Sequence, residues 1–188
     1  SYDFIAGGTG SGDVNRPYVV DLMSGLSNLE FNLEPEVDAF YKSYMQDEKV
    51  RRARINGRNA WHIDRERAIE VIPVELIEKS SRTADVAVIT IGRVFGEGKD
   101  RNLHYSYLLS DREQELIDRI SEAFHAEGKK VVVVLNIGGY VEMCSWQDKV
   151  DAVLLCWQPG QEGGNTVASA LCGEVNPSGH LPSTISVS

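Results

Sequence analysis

The chain lacks most of the features that assign a protein to a compartment or a polymer. No run of about 20 apolar residues is present, and no basic-then-apolar leader opens the sequence, so neither a membrane-spanning helix nor a secretory signal is legible and the compartment, bacterial cytoplasm or periplasm and beyond, is left open. Basic clusters are nearly missing. Among 188 residues, 19 Lys and Arg face 28 Asp and Glu, a formal net charge of -9, and the one cluster, Arg51 to Arg54, follows Asp47 and Glu48 and reads as a solvated helix face. Nucleic acid and acidic membranes, which need clustered positive charge, are excluded as partners. Cysteine is limited to Cys144, Cys156 and Cys172, an odd number without the close paired spacing of zinc sites or disulfide frameworks, so buried free thiols are expected. No repeat, low-complexity stretch or Pro/Ser linker marks a boundary, and the length fits one domain.

What is there is an alternating pattern in the second half. "DVAVITIG" (85–92), "KKVVVVLNIGG" (129–139) and "DAVLLCW" (151–157) are short, apolar and β-branched, suited to strands buried on both faces. Ser110 with Glu113 three residues on is a capping-box signature, Leu116, Ile117, Ile120 and Phe124 follow at helical spacing, and Gly128 offers a stop, so a helix over 111–127 is expected. "NTVASALCG" reads as a helix beginning near Asn165 and ended by Gly173. In the first half, Pro17 suits the opening of a helix in "RPYVVDLMSGL", Val37, Phe40, Tyr41, Tyr44 and Met45 fall on one side of an amphipathic helix, and Pro73 introduces another. "NPSGHLPSTI" reads as a turn and an extended segment at an edge. The fold class is α/β: a three-layer sandwich with a mostly parallel sheet flanked by helices, its first strand expected upstream because "SYDFIA" is a poor central strand.

In such a sheet the loops leaving the carboxyl ends of the strands share one edge, where ligands bind. "RVFGEGKDRN", "NIGGY" and "QPGQEGG" are those loops, all rich in glycine, and "GGTGSGD" (7–13) is expected to join them. A dinucleotide fingerprint fails at Asp13 and Asn15, a Walker loop lacks its lysine, and a nucleophile elbow around Ser11 would need glycines where Thr9 and Asp13 stand. Glu97 lies between two glycines with Arg93, Asp100 and Arg101 nearby. It is either an exposed carboxylate paired with Lys99 or Arg101, or a general acid and base with room to approach a substrate. Glu162 competes at the same edge, although its place before a helix suits a partner of the helix dipole. His104 and His180 have no Ser or Cys at telling spacing. No metal and no cofactor is indicated.

Together "GGTGSGDV", "DVAVITIGRVFGEGKDR", "LSDREQELI", "KKVVVVLNIGGYVEM", "DAVLLCWQPGQEGG" and "CGEVNPSGHLP" resemble, in order and spacing, the second, α/β-sandwich domain of glycoside hydrolase family 3. Residues 28 to 82 match only in general character. The resemblance implies a retaining β-glucosidase that removes terminal β-D-glucosyl units from cellobiose-like oligosaccharides or aryl glucosides. It carries the acid/base role onto Glu97, a substrate contact onto Ser11, a loop-shaping role onto Asp100 and Arg101, and a structural role onto Glu162. It also implies a partner (β/α)8 barrel of about 250 residues, absent from this chain, that supplies the aspartate nucleophile. The chain is therefore expected to be a segment of a larger enzyme, a cleaved product, or a subunit that works with a partner, and to be inactive in isolation. A non-catalytic sugar- or nucleotide-binding module stays open as the alternative, and so does the oligomeric state.

Overall fold

The computed structural model describes residues 2–55, 72–95 and 102–185, with backbone alone at 52–55 and at Tyr105. Among these residues five α-helices and three strands follow in the order α1 (Leu22–Asn28), α2 (Pro35–Ile55), α3 (Val74–Thr83), β1 (Val86–Arg93), α4 (Asp111–Ala126), β2 (Lys130–Ile137), β3 (Ala152–Leu155) and α5 (Gly163–Leu171). The sheet is parallel throughout, with β2 in the centre; Val86 pairs with Lys130 and Arg93 with Ile137 on one side, and Val132 pairs with Ala152 on the other. This is the expected α/β sandwich.

Alternation along the strands decides what each face meets. Ala87, Ile89 and Ile91 of β1 join Val131, Val133, Leu135 and Ile137 of β2 beneath Ile117 and Phe124 of α4, with Val141 and Trp146 closing the layer. On the opposite face Val134 packs with Leu22 and Leu26 of α1, Val167 and Ala168 of α5, and Phe4. Helix α4 starts where the sequence placed it. The Ser110 hydroxyl accepts the Glu113 amide, and the Glu113 carboxylate accepts the Ser110 amide in return, satisfying donors that a helix start would leave open.

The structure corrects several expectations. β1 is not buried on both faces: Val86 and Val88 are 41% and 36% exposed, because among the described residues α1 and α5 cover the sheet over β2 and β3 only. Helix α1 begins at Leu22 rather than near Pro17. Asp21 caps it by accepting from the Ser24 amide, while Val20 ahead of it donates to the Gln161 carbonyl and so is committed to the chain before α5. Helix α5 starts two residues earlier than expected, at Gly163. Residues 174–185 form no strand and lie largely exposed. Of the free cysteines, Cys144 and Cys172 are exposed, and only Cys156 is half-buried, its thiol pushed up to about 11 by that burial.

The stripe on α2 is as expected, with Val37, Phe40, Tyr41, Tyr44 and Met45 all half-buried. Tyr41 stacks on Tyr2 with ring centroids 5.6 Å apart. Arg51 grips the buried Glu48 with two hydrogen bonds of 2.6 and 2.7 Å, so the first arginine of the basic cluster serves its own helix.

Helices α1 and α5 cross at two glycines. A Cβ on Gly25 would strike the Gly164 carbonyl, and one on Gly164 would strike the Asp21 carbonyl; the Gly164 amide donates to the Val20 carbonyl at 3.0 Å. Since the obstacles are backbone atoms, no side-chain movement relieves them. Gly164→Val is expected to cost about 1–3 kcal/mol or more, whereas Gly179→Ala, where a Cβ meets nothing within 4 Å, should leave the midpoint of urea unfolding in place.

Candidate active site at the carboxyl edge of the sheet

All three strands point their carboxyl ends the same way, so the chain leaves β1, β2 and β3 at one edge. The N-terminal segment comes to that edge too. Thr9 donates its amide to the Phe95 carbonyl at 3.3 Å, Gly160 donates to the Ala6 carbonyl at 2.8 Å, and Gly138 donates to the Arg93 carbonyl at 2.9 Å. Two glycines allow this gathering. A Cβ on Gly8 would stand 2.7 Å from the Phe95 carbonyl oxygen, and one on Gly138 would overlap the Phe95 side chain and lie 2.8 Å from the Gln158 amide nitrogen. The described parts of the four loops therefore meet, the first of them through Arg93 and Phe95, as the sequence pattern implied.

A buried amide ties them. Asn136, 1% exposed near the end of β2, accepts the Ile5 amide on Oδ1 at 2.6 Å and donates Nδ2 to the Ile5 carbonyl at 2.9 Å and to the Trp157 carbonyl at 2.8 Å. One side chain thus serves an irregular segment as a strand neighbour would, satisfying both of its backbone groups. The residue was missed by sequence reasoning. An Asn that interrupts a run of apolar β-branched residues is the signal that could have found it, because a buried amide must be paired.

Arg93 closes the base of the loop that follows β1. Its side chain is fully buried, with Nη1 and Nη2 each 2.7 Å from a different oxygen of Glu113, Nη1 also 2.8 Å from the Gly92 carbonyl, and Nε 3.2 Å from the Ser106 carbonyl. Planar guanidinium geometry suits this bidentate grip. The loop leaves the sheet at Arg93 and returns at Ser106, so one side chain joins its two ends and fastens both to the first turn of α4. Burial alone would push the Glu113 carboxyl up, but the hydrogen bonds and charge of Arg93, with the Ser110 amide and hydroxyl, bring it below the ordinary value.

Glu97, Asp100 and Arg101 lie outside the described residues. Ser11 sits exposed in a single 3-10 turn, Gly10–Gly12, entered by Gly10 at φ 69°. Asp13 pairs with Arg16 just beyond it.

Glu162 occupies the position before α5, where its carboxylate accepts from the Tyr18 hydroxyl at 2.6 Å and from Asn165 Nδ2 at 2.7 Å. Those two bonds hold its carboxyl below the ordinary value. A proton donor needs the opposite shift. Through these bonds Glu162 joins the segment before α1 to the start of α5. His104 and His180 are both exposed.

The model of the glycosyl hydrolase family 3 C-terminal domain matches residues 3–188, and the chain belongs to that family. It is 31% identical to β-glucosidase A of Butyrivibrio fibrisolvens and 32% identical to a β-glucosidase of Ruminococcus albus, in each case over 97% of this chain but only 24% and 19% of the relative. Among solved structures, β-glucosidase 3B from Thermotoga neapolitana in complex with α-D-glucose superposes with a TM-score of 0.87 at 41% identity, covering 96% of this chain and 25% of that one. The chain thus spans about a quarter or less of the length of these relatives, which carry additional domains.

Two outcomes follow from the ties at this edge. Asn136→Leu leaves Ile5 and Trp157 backbone groups unpaired, and is expected to cost at least about 3 kcal/mol and to speed hydrogen exchange at the Ile5 amide. Because Glu113 has a lowered folded pKa, its stabilising contribution is complete above the ordinary carboxylate value and is lost as pH falls through the folded one. Urea midpoints measured from pH 7 to pH 3 should therefore fall more steeply for the wild type than for Arg93→Met/Glu113→Met.

Proposed function

We propose that this chain is the acid/base-bearing domain of a retaining β-glucosidase, with Glu97 as the proton donor and acceptor. The observation that supports this reading most is the fastening of both ends of the 94–105 loop, by Arg93 and Ser106, at the edge where the other glycine-rich loops gather. A general acid must be delivered to within hydrogen-bond reach of the bond it protonates, and a loop anchored on a buried ion pair is a firm base for that delivery.

In the proposed reaction an aspartate of a (β/α)8 barrel, a partner domain outside this chain, attacks the anomeric carbon of a terminal β-D-glucosyl unit. Glu97 gives its proton to the departing glycosidic oxygen. It then takes a proton from the water that attacks the glucosyl-enzyme, and the acid form is regenerated. Two inversions at one carbon retain the configuration. Retaining enzymes hold the two carboxyls about 5 to 5.5 Å apart, so Glu97 acts across a domain interface, where exclusion of water raises its pKa. Ser11 contacts the bound sugar from the neighbouring loop, and Asp100 and Arg101 hold the shape of the Glu97 loop.

The test is turnover by the longer enzyme containing this domain, as wild type and Glu97→Ala, on aryl β-glucosides of graded leaving-group ability. The expected loss on poor leaving groups is about 10²–10⁴-fold, with much smaller losses on good ones. Added azide should restore turnover as glucosyl azide of retained configuration. A variant that keeps wild-type turnover on every substrate overturns the assignment.

A further inference from the structure

Ser11 rides on the Gly10–Gly12 turn, and no residue of that turn is buried. Where its hydroxyl stands is therefore set by the ties on either side. Before the turn, Thr9 donates to the Phe95 carbonyl at 3.3 Å and the Ala6 carbonyl accepts from Gly160 at 2.8 Å; after it, the Val20 amide donates to the Gln161 carbonyl at 2.8 Å. These ties run from loop to loop. Asn136 ties the segment to the sheet itself: its Oδ1 and Nδ2 take both backbone groups of Ile5, and Nδ2 also reaches the Trp157 carbonyl. Ile5 fits there because Gly92, the register partner of Asn136 on β1, has no side chain; a Cβ on it would lie 3.2 Å from Ile5 Cδ1. Phe4 alongside packs in the same cluster as Val134 of β2.

We infer that Asn136 is a positioning residue for sugar binding: by fixing Ile5 it sets the reach of Ser11 toward the glucosyl unit, an inference that rests on the reading of Ser11 as the sugar contact. The residue type at 136 carries it. Every other buried residue of β2 is Val, Leu or Ile, and one of these could fill position 136 as well. Apolar contact is non-directional, however, and would let the N-terminal segment slide along the end of the strand. Three directed bonds from one side chain admit a single register. Ile5 is also close to Ser11 along the chain, and the stretch between them is gripped at Ala6 and Thr9, so a displacement at Ile5 is passed on rather than absorbed. With both donors used and the residue 1% exposed, Asn136 touches no substrate and acts through the segment it holds.

The experiment uses the longer enzyme as wild type, Ser11→Ala, Asn136→Ala, Asn136→Asp and the Ser11→Ala/Asn136→Ala double variant, at a temperature where each is folded. The inhibition constant of glucose is measured, with kcat/KM on aryl β-glucosides of good and poor leaving-group ability. One neutral hydrogen bond corresponds to about a tenfold effect, so Ser11→Ala and Asn136→Ala should each weaken glucose about tenfold. The double variant should weaken it no further, because Asn136 acts through Ser11. Losses in kcat/KM should be equal on good and poor leaving groups, unlike those of Glu97→Ala. Asn136→Asp keeps the acceptor for the Ile5 amide and gives up the donors, and should fall between wild type and Asn136→Ala. Wild-type glucose binding in Asn136→Ala, or losses that multiply to about a hundredfold in the double variant, overturn the inference. A purely structural role would lower the amount of folded enzyme and leave the inhibition constant in place. Should Asn136→Ala not fold, Asn136→Asp takes its place in the cycle. Failure of the underlying reading shows separately, as wild-type glucose binding in Ser11→Ala, and takes the inference with it.

Discussion

A single buried cation organises the business end of this domain. Arg93 carries its charge out of water, which is costly unless every donor finds a partner, and the cost is met by one carboxylate gripped at two points and by two carbonyls. Its partner Glu113 is already the reciprocal residue of a capping box, so the end of β1, the start of α4 and the far end of the intervening loop are fixed in one network. Removing Glu113 would leave the buried Arg93 charge without its carboxylate, so the end of β1 depends on the first turn of α4. The loop proposed to carry the acid/base is built on that unit.

The second constraint is closeness of backbone to backbone. Gly8 and Gly138 let the N-terminal segment and the β2 loop press on Phe95, and Gly25 and Gly164 let α1 and α5 touch main chain to main chain. Asn136 then supplies, from a side chain, the hydrogen bonds that an irregular segment lacks. These contacts explain why glycine recurs in loops that also include bulky aromatics. The glycines admit close approach, and the aromatics at 95, 140 and 157 stay at the rim.

Much of the fold was legible because its signals are local. Runs of β-branched residues, the Ser110–Glu113 box and the spacing of Ile117, Ile120 and Phe124 depend on neighbours in sequence, and all appear where the pattern placed them. The misreadings were of another kind. Burial of β1 on both faces assumed a covering layer that the described residues do not provide, the start of α1 turned on a pairing of Val20 with Gln161, and the exposure of Cys144 and Cys172 follows from packing among distant segments.

The sequence by itself determined the parallel α/β architecture, the edge at which the glycine-rich loops must emerge, and through its motifs the family and the candidate carboxylate at 97. Those properties follow from periodicity, capping and chain direction, which are written residue by residue. Only the tertiary structure decided that Arg93 turns inward to join Ser106 and Glu113, that Asn136 binds a segment 131 positions away, that Glu162 accepts from Tyr18 and Asn165, and that Trp157 is strained with its ring at the rim. Each of these depends on which polar group lies within about 3 Å of another, a quantity set by the packing of elements remote in sequence.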